Sequence, residues 1–278
     1  MNLTEVCQTL GVSRSGYRAH TRKHLRQRRV QDAAIAIEVS ETFHARRQAY
    51  GALRIMHELR RKGLRHGKNR IARLMREQDL RAAQKRRFVP RTTISDKDSP
   101  VAPNHLLKRP AAQRPNEVWL TDITYLPTGE GWLYLAAEMD QCSRRILGWS
   151  TDASLATALP ASAFERAALG ARDTDLRHLL HHSDRGCQYT SEAFRQRLAM
   201  RGITQSMSRA GNCYDNAAME SFWATLKTEC FRSRIPATRA EATSMVFDYI
   251  ETFYNPVRLH SALGYQSPVE FEQNIQNN

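Results

Sequence analysis

No Cys-x-x-C pair occurs in the 278 residues, and the five cysteines (Cys7, Cys142, Cys187, Cys213 and Cys230) are scattered. An odd, dispersed set excludes a zinc ribbon and a disulfide framework and suits a reducing cytoplasm. No apolar stretch is long enough to span a bilayer, and the N-terminus has no signal-peptide core, so the chain is expected to be soluble, cytoplasmic and without a membrane partner. Internal repeats and low-complexity tracts are missing too. Between residues 116 and 143 there is no arginine or lysine at all.

Positive charge is abundant elsewhere, and it is unevenly placed. The net charge is +14; residues 1–115 hold 27 basic against 9 acidic side chains, and residues 116–278 hold 15 against 19. The first part is built to meet a polyanion, with nucleic acid the expected partner.

Patterning divides the chain at about the same place. In "LTEVCQTLGVSRSGYRAH", Leu3, Val6 and Leu10 recur at helical spacing before Gly11, and a fresh start follows, predicting a short helix-turn-helix over about 3–20. A basic connector (22–29) and a helical run from about 31 to 45 come next. In "GALRIMHELRRKGLRHGKNRIARLMREQDL", Leu53, Met56 and Leu59 mark one helix and Ile71, Leu74 and Met75 another, across a turn bearing Gly63 and Gly67. Lys68, Arg70, Arg73 and Arg76 cluster on the outward side of the second helix, the pattern of a DNA-reading unit over about 51–80. An ordinary hairpin with a solvated basic face is the competing reading. Residues 1–83 are thus expected to be all-helical. Residues 84–115, with five of the ten prolines, read as a basic linker ordered on a nucleic-acid partner.

After Pro115 the period changes. "VWLTDITYLP", "GWLYLAAEMD" and "SRRILGWST" predict three antiparallel strands. A helix (about 155–169), a strand (about 177–183), a helix (about 191–201), a strand near "ITQSMS", a helix within 212–229 and a last helix (about 239–253) follow, before a polar, proline-bearing tail. The expected class is α/β: a mixed five-stranded sheet with helices on both sides.

Three acids stand out. Asp122 lies mid-strand, where aspartate is disfavoured, on a face shared with Val118, Leu120, Thr124 and Leu126. A covered carboxylate there implies a raised pKa, an ion pair or a metal. Asp184 follows the apolar strand "LRHLL", at a carboxyl end where open α/β sheets bind ligands, although an Asp-Arg-Gly turn is the bland reading. Glu220, in "NCYDNAAMESFWATLKTE", falls on a stripe with Asn216, Ala224 and Lys227 at the edge of an apolar face, with no cation one turn away. Three oxygen donors without a cysteine suit Mg²⁺ or Mn²⁺.

At these residues a family resemblance becomes specific. "VWLTDITYL", "HHSDRGCQYTS" and "GNCYDNAAMESFWATLKTE", with 35 residues between Asp184 and Glu220, resemble the core of bacterial insertion-sequence transposases of the OrfB type, with a retroviral-integrase-like DDE core. The N-terminal motifs and the tail "YNPVRLHSALGYQSPVEF" resemble the same family. The resemblance implies a ribonuclease-H-like core over 116–273, in which Asp122, Asp184 and Glu220 are catalytic and hold two Mg²⁺ or Mn²⁺ ions. It implies DNA contacts by Lys227, with weaker claims for Asn216, equally readable as a helix cap, and Arg209; Trp223 reads as core. The implied reaction is cleavage at the element ends followed by strand transfer into target DNA. The implied partners are double-stranded DNA (terminal inverted repeats and target), further copies of the chain on that DNA, and an upstream OrfA product or fusion, all at the bacterial nucleoid. A catalytically silent DNA-binding repressor and a nuclease without strand transfer are the alternatives. The retroviral pattern of paired histidines and cysteines is absent, and no coiled-coil heptads occur.

Overall fold

The computed structural model describes residues 2–83, 102–107, 109–209, 216–232 and 234–277. Two compact units result, Met1–Ala83 and Gln84–Asn278. Much of the expected linker (84–101 and 108) and the segment 210–215 before the glutamate helix lie outside the described residues.

The first unit is helical. Helix α1 (Leu3–Thr9) opens on a capping box between Asn2 and Glu5, and Ser13 caps α2 (Arg14–Ala45) through the Gly16 N–H. The expected break at 22–29 does not occur: α2 runs through it unbroken. That run contains no glycine or proline, and arginine, lysine, glutamine and leucine are good helix formers, so a block of charge does not end a helix. Ile35, Val39 and Phe43 repeat every fourth residue and are buried, together with Ile55 and Leu59 of α3 (Ala52–Arg61) and Ile71, Leu74 and Met75 of α4 (Lys68–Glu77). Helix α2 packs against both α3 and α4. In helix α3 the expected Met56 and Leu59 are buried and Ile55 joins them, while Leu53 faces outward. In α1 the buried residue is Cys7, while Leu3 and Leu10 face outward.

The second unit is a five-stranded sheet in the order β3-β2-β1-β4-β5. Strands β1 (Val118–Thr128), β2 (Gly131–Asp140) and β3 (Ile146–Asp152) form an antiparallel meander. Strands β4 (Leu180–Ser183) and β5 (Thr204–Met207) add in parallel beyond β1. Helix α5 (Ala158–Gly170) crosses from β3 to β4; the short turn of helix α6 (Cys187–Thr190) and then α7 (Glu192–Ala199) join β4 to β5. Alternation along β3 shows the two layers of helices. Gly148 meets α5, where a Cβ would stand 2.3 Å from the Ala163 carbonyl oxygen, so only glycine fits. Trp149 faces the other way, and its indole N–H donates to Glu251, just past α9 (Arg239–Tyr249), at 2.8 Å. Trp119, Phe164, Leu179, Phe194, Leu198, Ile203 and Met207 form the core between the sheet and α5 and α7.

Two segments expected to be loose are built into this unit. The described end of the linker lies along β5: the His105 N–H donates to Ser206 Oγ (3.0 Å) and Ala102 packs on the core. The polar tail contains a further helix, α10 (Pro268–Gln276), opened by a capping box between Ser267 and Glu270 with proline at its start. Ahead of it, Asn255 brackets Ile146, accepting from its N–H and donating to its carbonyl, each at 2.9 Å. Arg258 forms a bidentate pair with Glu229 at 2.6 Å on both arms, with both side chains buried.

Candidate active site

The strand register brings the first two acids together. Leu120 of β1 pairs in parallel with His182 of β4. Asp122 lies two residues further along β1 and Asp184 just past the end of β4, close enough for its charge to act on Asp122. Helix α8 (Ala217–Leu226) supplies the third. It is fastened to β1 at two points: Asn216 Nδ2 donates to the Thr121 carbonyl at 3.0 Å, and Trp223 Nε1 donates to Asp122 Oδ2 at 2.9 Å. Positions 216, 220, 223 and 227 share one helical stripe, so Glu220 falls between the two fastenings and Lys227 on the continuation. The helix then widens into a π-type turn, Lys227–Phe231.

Electrostatics make Asp122 the centre of this group. Burial first, and then the negative charge of Asp184, push its carboxyl up to about 7. The Ile123 N–H (2.8 Å) and the Trp223 indole pull it back, and Glu220 adds a smaller upward push. Burial raises Asp184 as well, opposed by the Gly186 N–H at 2.9 Å. Partial desolvation raises Glu220, which is otherwise exposed at the rim. Lys227 is half-buried; desolvation lowers its pKa while attraction to Asp122 raises it. The described ion pairs of this unit go to other acids, such as Glu229 and Glu272.

Among the described residues, no three histidine, cysteine, aspartate or glutamate side chains are close enough to hold one metal ion. The chemistry of the donor set nevertheless fits a hard divalent cation. The donors are carboxylates only, and the burial and the Asp184 charge that together raise Asp122 are what a bound cation would offset.

A polar floor lies beneath the acids. Thr121 and Tyr189 share a hydrogen bond at 3.1 Å, and His181 Nε2 meets Glu138 at 3.0 Å, all buried. His182 bonds Ser206 and Ser208 at 2.9 and 3.0 Å, linking the strand before Asp184 to the docked linker. Sequence reading missed this floor and missed the task of Trp223. One signal was available: an N–H-bearing aromatic three residues beyond Glu220 on the same stripe.

The expected DNA-contacting residues divide. Asn216 is 7% exposed and makes no side-chain cap bond; it ties α8 to β1 instead. Arg209 is exposed just past the end of β5. In the first unit, Lys68 and Arg76 are exposed at the two ends of α4. Arg70 and Arg73 both pair with Asp32 of α2, at 2.7 and 2.6 Å.

Comparison with known proteins decides the family. Models described as "Integrase core domain" match residues 112–213 and 201–268, and one described as "HTH-like domain" matches 30–88, which takes in the α3–α4 pair. A 31 kDa protein of insertion element IS600 from Shigella sonnei is 41% identical, covering 96% of this chain and 97% of its own. The transposase for IS904 from Lactococcus lactis is 39% identical over 89% and 96%. Transposase InsF of IS3A from Escherichia coli is 37% identical over 98% and 94%. The chain belongs to the insertion-sequence transposases. It is a DNA transposase with an integrase core, in which a mixed sheet flanked by helices follows an all-helical region that holds the HTH-like match. Among solved structures, a simian T-cell lymphotropic virus intasome aligns at a TM-score of 0.48 and 15% identity, over 64% of this chain and 60% of that one. Integrase-core enzymes depend on divalent metal. No helix among the described residues is long and apolar enough to cross a membrane.

Proposed function

We propose that Asp122, Asp184 and Glu220 are the catalytic carboxylates of this transposase and hold a pair of Mg²⁺ or Mn²⁺ ions during cleavage and strand transfer at the element ends. The observation that carries this reading is the raised carboxylate of Asp122, which has no ion pair among the described residues, with Asp184 beside it at the end of β4 and Glu220 on the facing stripe of α8. When bound, the cations supply activation of the attacking oxygen and stabilisation of the leaving one. The chain's own groups prepare the site. The Trp223 indole and the Ile123 N–H orient Asp122, the Gly186 N–H orients Asp184, and Asn216 fixes the start of the glutamate helix. Lys227 offers its charge to a phosphate entering beside Asp122. Arg209 at the end of β5 extends that path.

The helical unit 1–83 binds the terminal inverted repeats, with Lys68 and Arg76 of α4 as phosphate contacts and Arg70 and Arg73 at the same surface. The basic segment 84–115 adds salt-dependent contacts. Further copies of the chain and an upstream OrfA product complete the complex on DNA.

The deciding experiment uses element-end DNA with Mn²⁺. Asp184→Asn and Glu220→Gln are expected to lower cleavage and joining by about 10³-fold or more, while binding of the ends is unchanged. Joining by Asp184→Asn at the wild-type rate refutes the assignment. Cleavage without joining by the wild-type protein, with its upstream partner supplied, favours the nuclease reading.

A further inference from the structure

The hairpin that carries Asp122 ends in an aromatic ledge that the reaction as described does not use. Tyr125 and Tyr134 pair directly across β1 and β2, with ring centroids 5.2 Å apart, and Trp132 lies edge-on to Tyr125 at 6.4 Å. Trp132 is 54% exposed, whereas Trp119, Trp149 and Trp223 are 0%, 8% and 6% exposed. A large indole left in water on a strand needs a reason, because burying it elsewhere would be favourable.

Two features make this ledge a site and not a loose end. It is rigid. At the hairpin tip, the Gly129 N–H donates to the Pro236 carbonyl at 2.9 Å, and a Cβ on Gly129 would stand 2.5 Å from the Ala237 carbonyl oxygen. Arg239, at the start of α9, donates from Nε to the Trp132 carbonyl at 3.0 Å, and its backbone N–H donates to Glu130. It is also adjacent to the acids. Tyr125, three strand positions past Asp122, projects from the opposite face of β1. The chain leaving Asp184 crosses to that face, however, where the Tyr189 hydroxyl meets Thr121 at 3.1 Å. The Tyr125 hydroxyl, raised first by burial, also feels the charges of Asp122 and Asp184. A strand whose phosphate lies at the carboxylates therefore reaches the ledge by passing over the Asp184 side of β1, a path of a few stacked nucleotides of about 3.4 Å each.

We propose that Tyr125, Trp132 and Tyr134 form a stacking platform for unpaired nucleobases of the DNA strand that enters the carboxylate site. The proposal rests on the reading of that site as the place of phosphoryl transfer. Opening the last base pairs at a cleavage point leaves bases without partners, and an exposed aromatic face accepts any of them, since every base has a π-face. The guanidinium of Arg239 beside Trp132 gives the adjoining phosphate a cation.

The experiment uses the full-length protein and two single-stranded probes of about 12 nucleotides, one of oligothymidylate and one abasic throughout, with equal phosphate charge. Trp132 dominates solvent-accessible tryptophan emission, so thymidylate is expected to quench it and the abasic strand is not. Trp132→Ala is expected to weaken thymidylate binding by about 10-fold and to leave abasic binding unchanged. Trp132→Phe, which keeps a ring, is expected to stay within about 3-fold of wild type on thymidylate. Equal loss by Trp132→Ala on both probes, or no loss on either, overturns the platform, as does a 10-fold loss in Trp132→Phe. A change of Trp132 emission with protein concentration in the absence of DNA also overturns it, since a second copy would then cover the ledge. Asp184→Asn separates the two readings: it should bind thymidylate as wild type does. If it still joins strands, the site assignment fails while the platform stands or falls on its own binding data.

Discussion

The two units handle charge in opposite ways. In the basic helical unit, the buried or half-buried acids are neutralised: Asp32 by Arg70 and Arg73, Glu58 by Arg46. In the nearly neutral core, the three acids carry no ion pair among the described residues; desolvation raises the pKa of each, and the charge of Asp184 adds to the rise at Asp122. Paired charges inside a fold are structure. Like charges collected without partners, in a chain with a large excess of cations, are held ready for something that arrives from outside. The comparison also warns against counting arginines: a basic face on α4 is partly the inner lining of a helix bundle.

The core does contain a neutralised buried acid, and breaking it should give the largest effect on stability. Glu229 is held by Arg258 on both oxygens and by the Tyr249 hydroxyl at 2.8 Å, and it joins the end of the glutamate helix to the C-terminal segment. Arg258→Met leaves a carboxylate buried without its partner, and a loss of about 3–5 kcal/mol is expected, read by urea unfolding. Replacing both residues by apolar ones of similar volume should recover most of it. If Arg258→Met costs no more than a surface substitution, the clasp is not closed in solution and the contrast between paired and unpaired acids weakens.

Much of this was legible in the sequence. Alternation around Asp122 predicted a covered face, the apolar run before Asp184 predicted a strand end, and the 3.6-residue stripe placed Glu220 at a helix edge. What escaped reading involved partners distant in sequence. Trp223 read as core because its burial is visible in the pattern, whereas the acceptor of its N–H is 101 positions earlier. Asn216 read as a DNA contact or, equally, a helix cap, since nothing local announces the Thr121 carbonyl. The continuity of α2 was obscured by treating a charge block as a break. The C-terminal helix, by contrast, was announced by "SPVE", a capping box with proline at N1, and only its setting among polar residues hid it.

A second test turns on the sign of the Asp122 shift. In the metal-free fold its carboxyl keeps its proton up to about 7, against an ordinary value of 3.8. Between those values the unfolded chain has released the proton and the folded one has not, so raising the pH disfavours the fold. The penalty is absent below the unfolded value, grows through the window and is complete above about pH 7. A decline of about 1–3 kcal/mol is expected, as a melting temperature in chelator that falls from pH 5 to pH 8. Asp122→Asn should flatten that decline. Mn²⁺ should raise the wild-type melting temperature at pH 8 and leave the variant nearly unchanged. A wild-type profile that rises over this window would mean that Asp122 is already neutralised, which would erase its contrast with Asp32.

The smallest effect expected separates contact from structure within α4. Lys68 and Arg76 stand exposed at its ends, so each alanine variant should reduce the slope of log binding constant against log salt by about 1 for end DNA, with no change in melting temperature. Arg70 and Arg73 are drawn to Asp32, whose carboxyl they hold below its ordinary value, Arg70 first. For Arg70→Ala the expectation is the reverse: a lower melting temperature and a nearly unchanged salt slope. The ion pair is partly exposed and screened, so the fall should be modest and should shrink in high salt. If Arg70→Ala instead lowers the slope while the fold keeps its melting temperature, the Asp32 pair opens on DNA and α4 offers four cations to the phosphates. The partial neutrality of the helical unit would then be a property of the free protein alone.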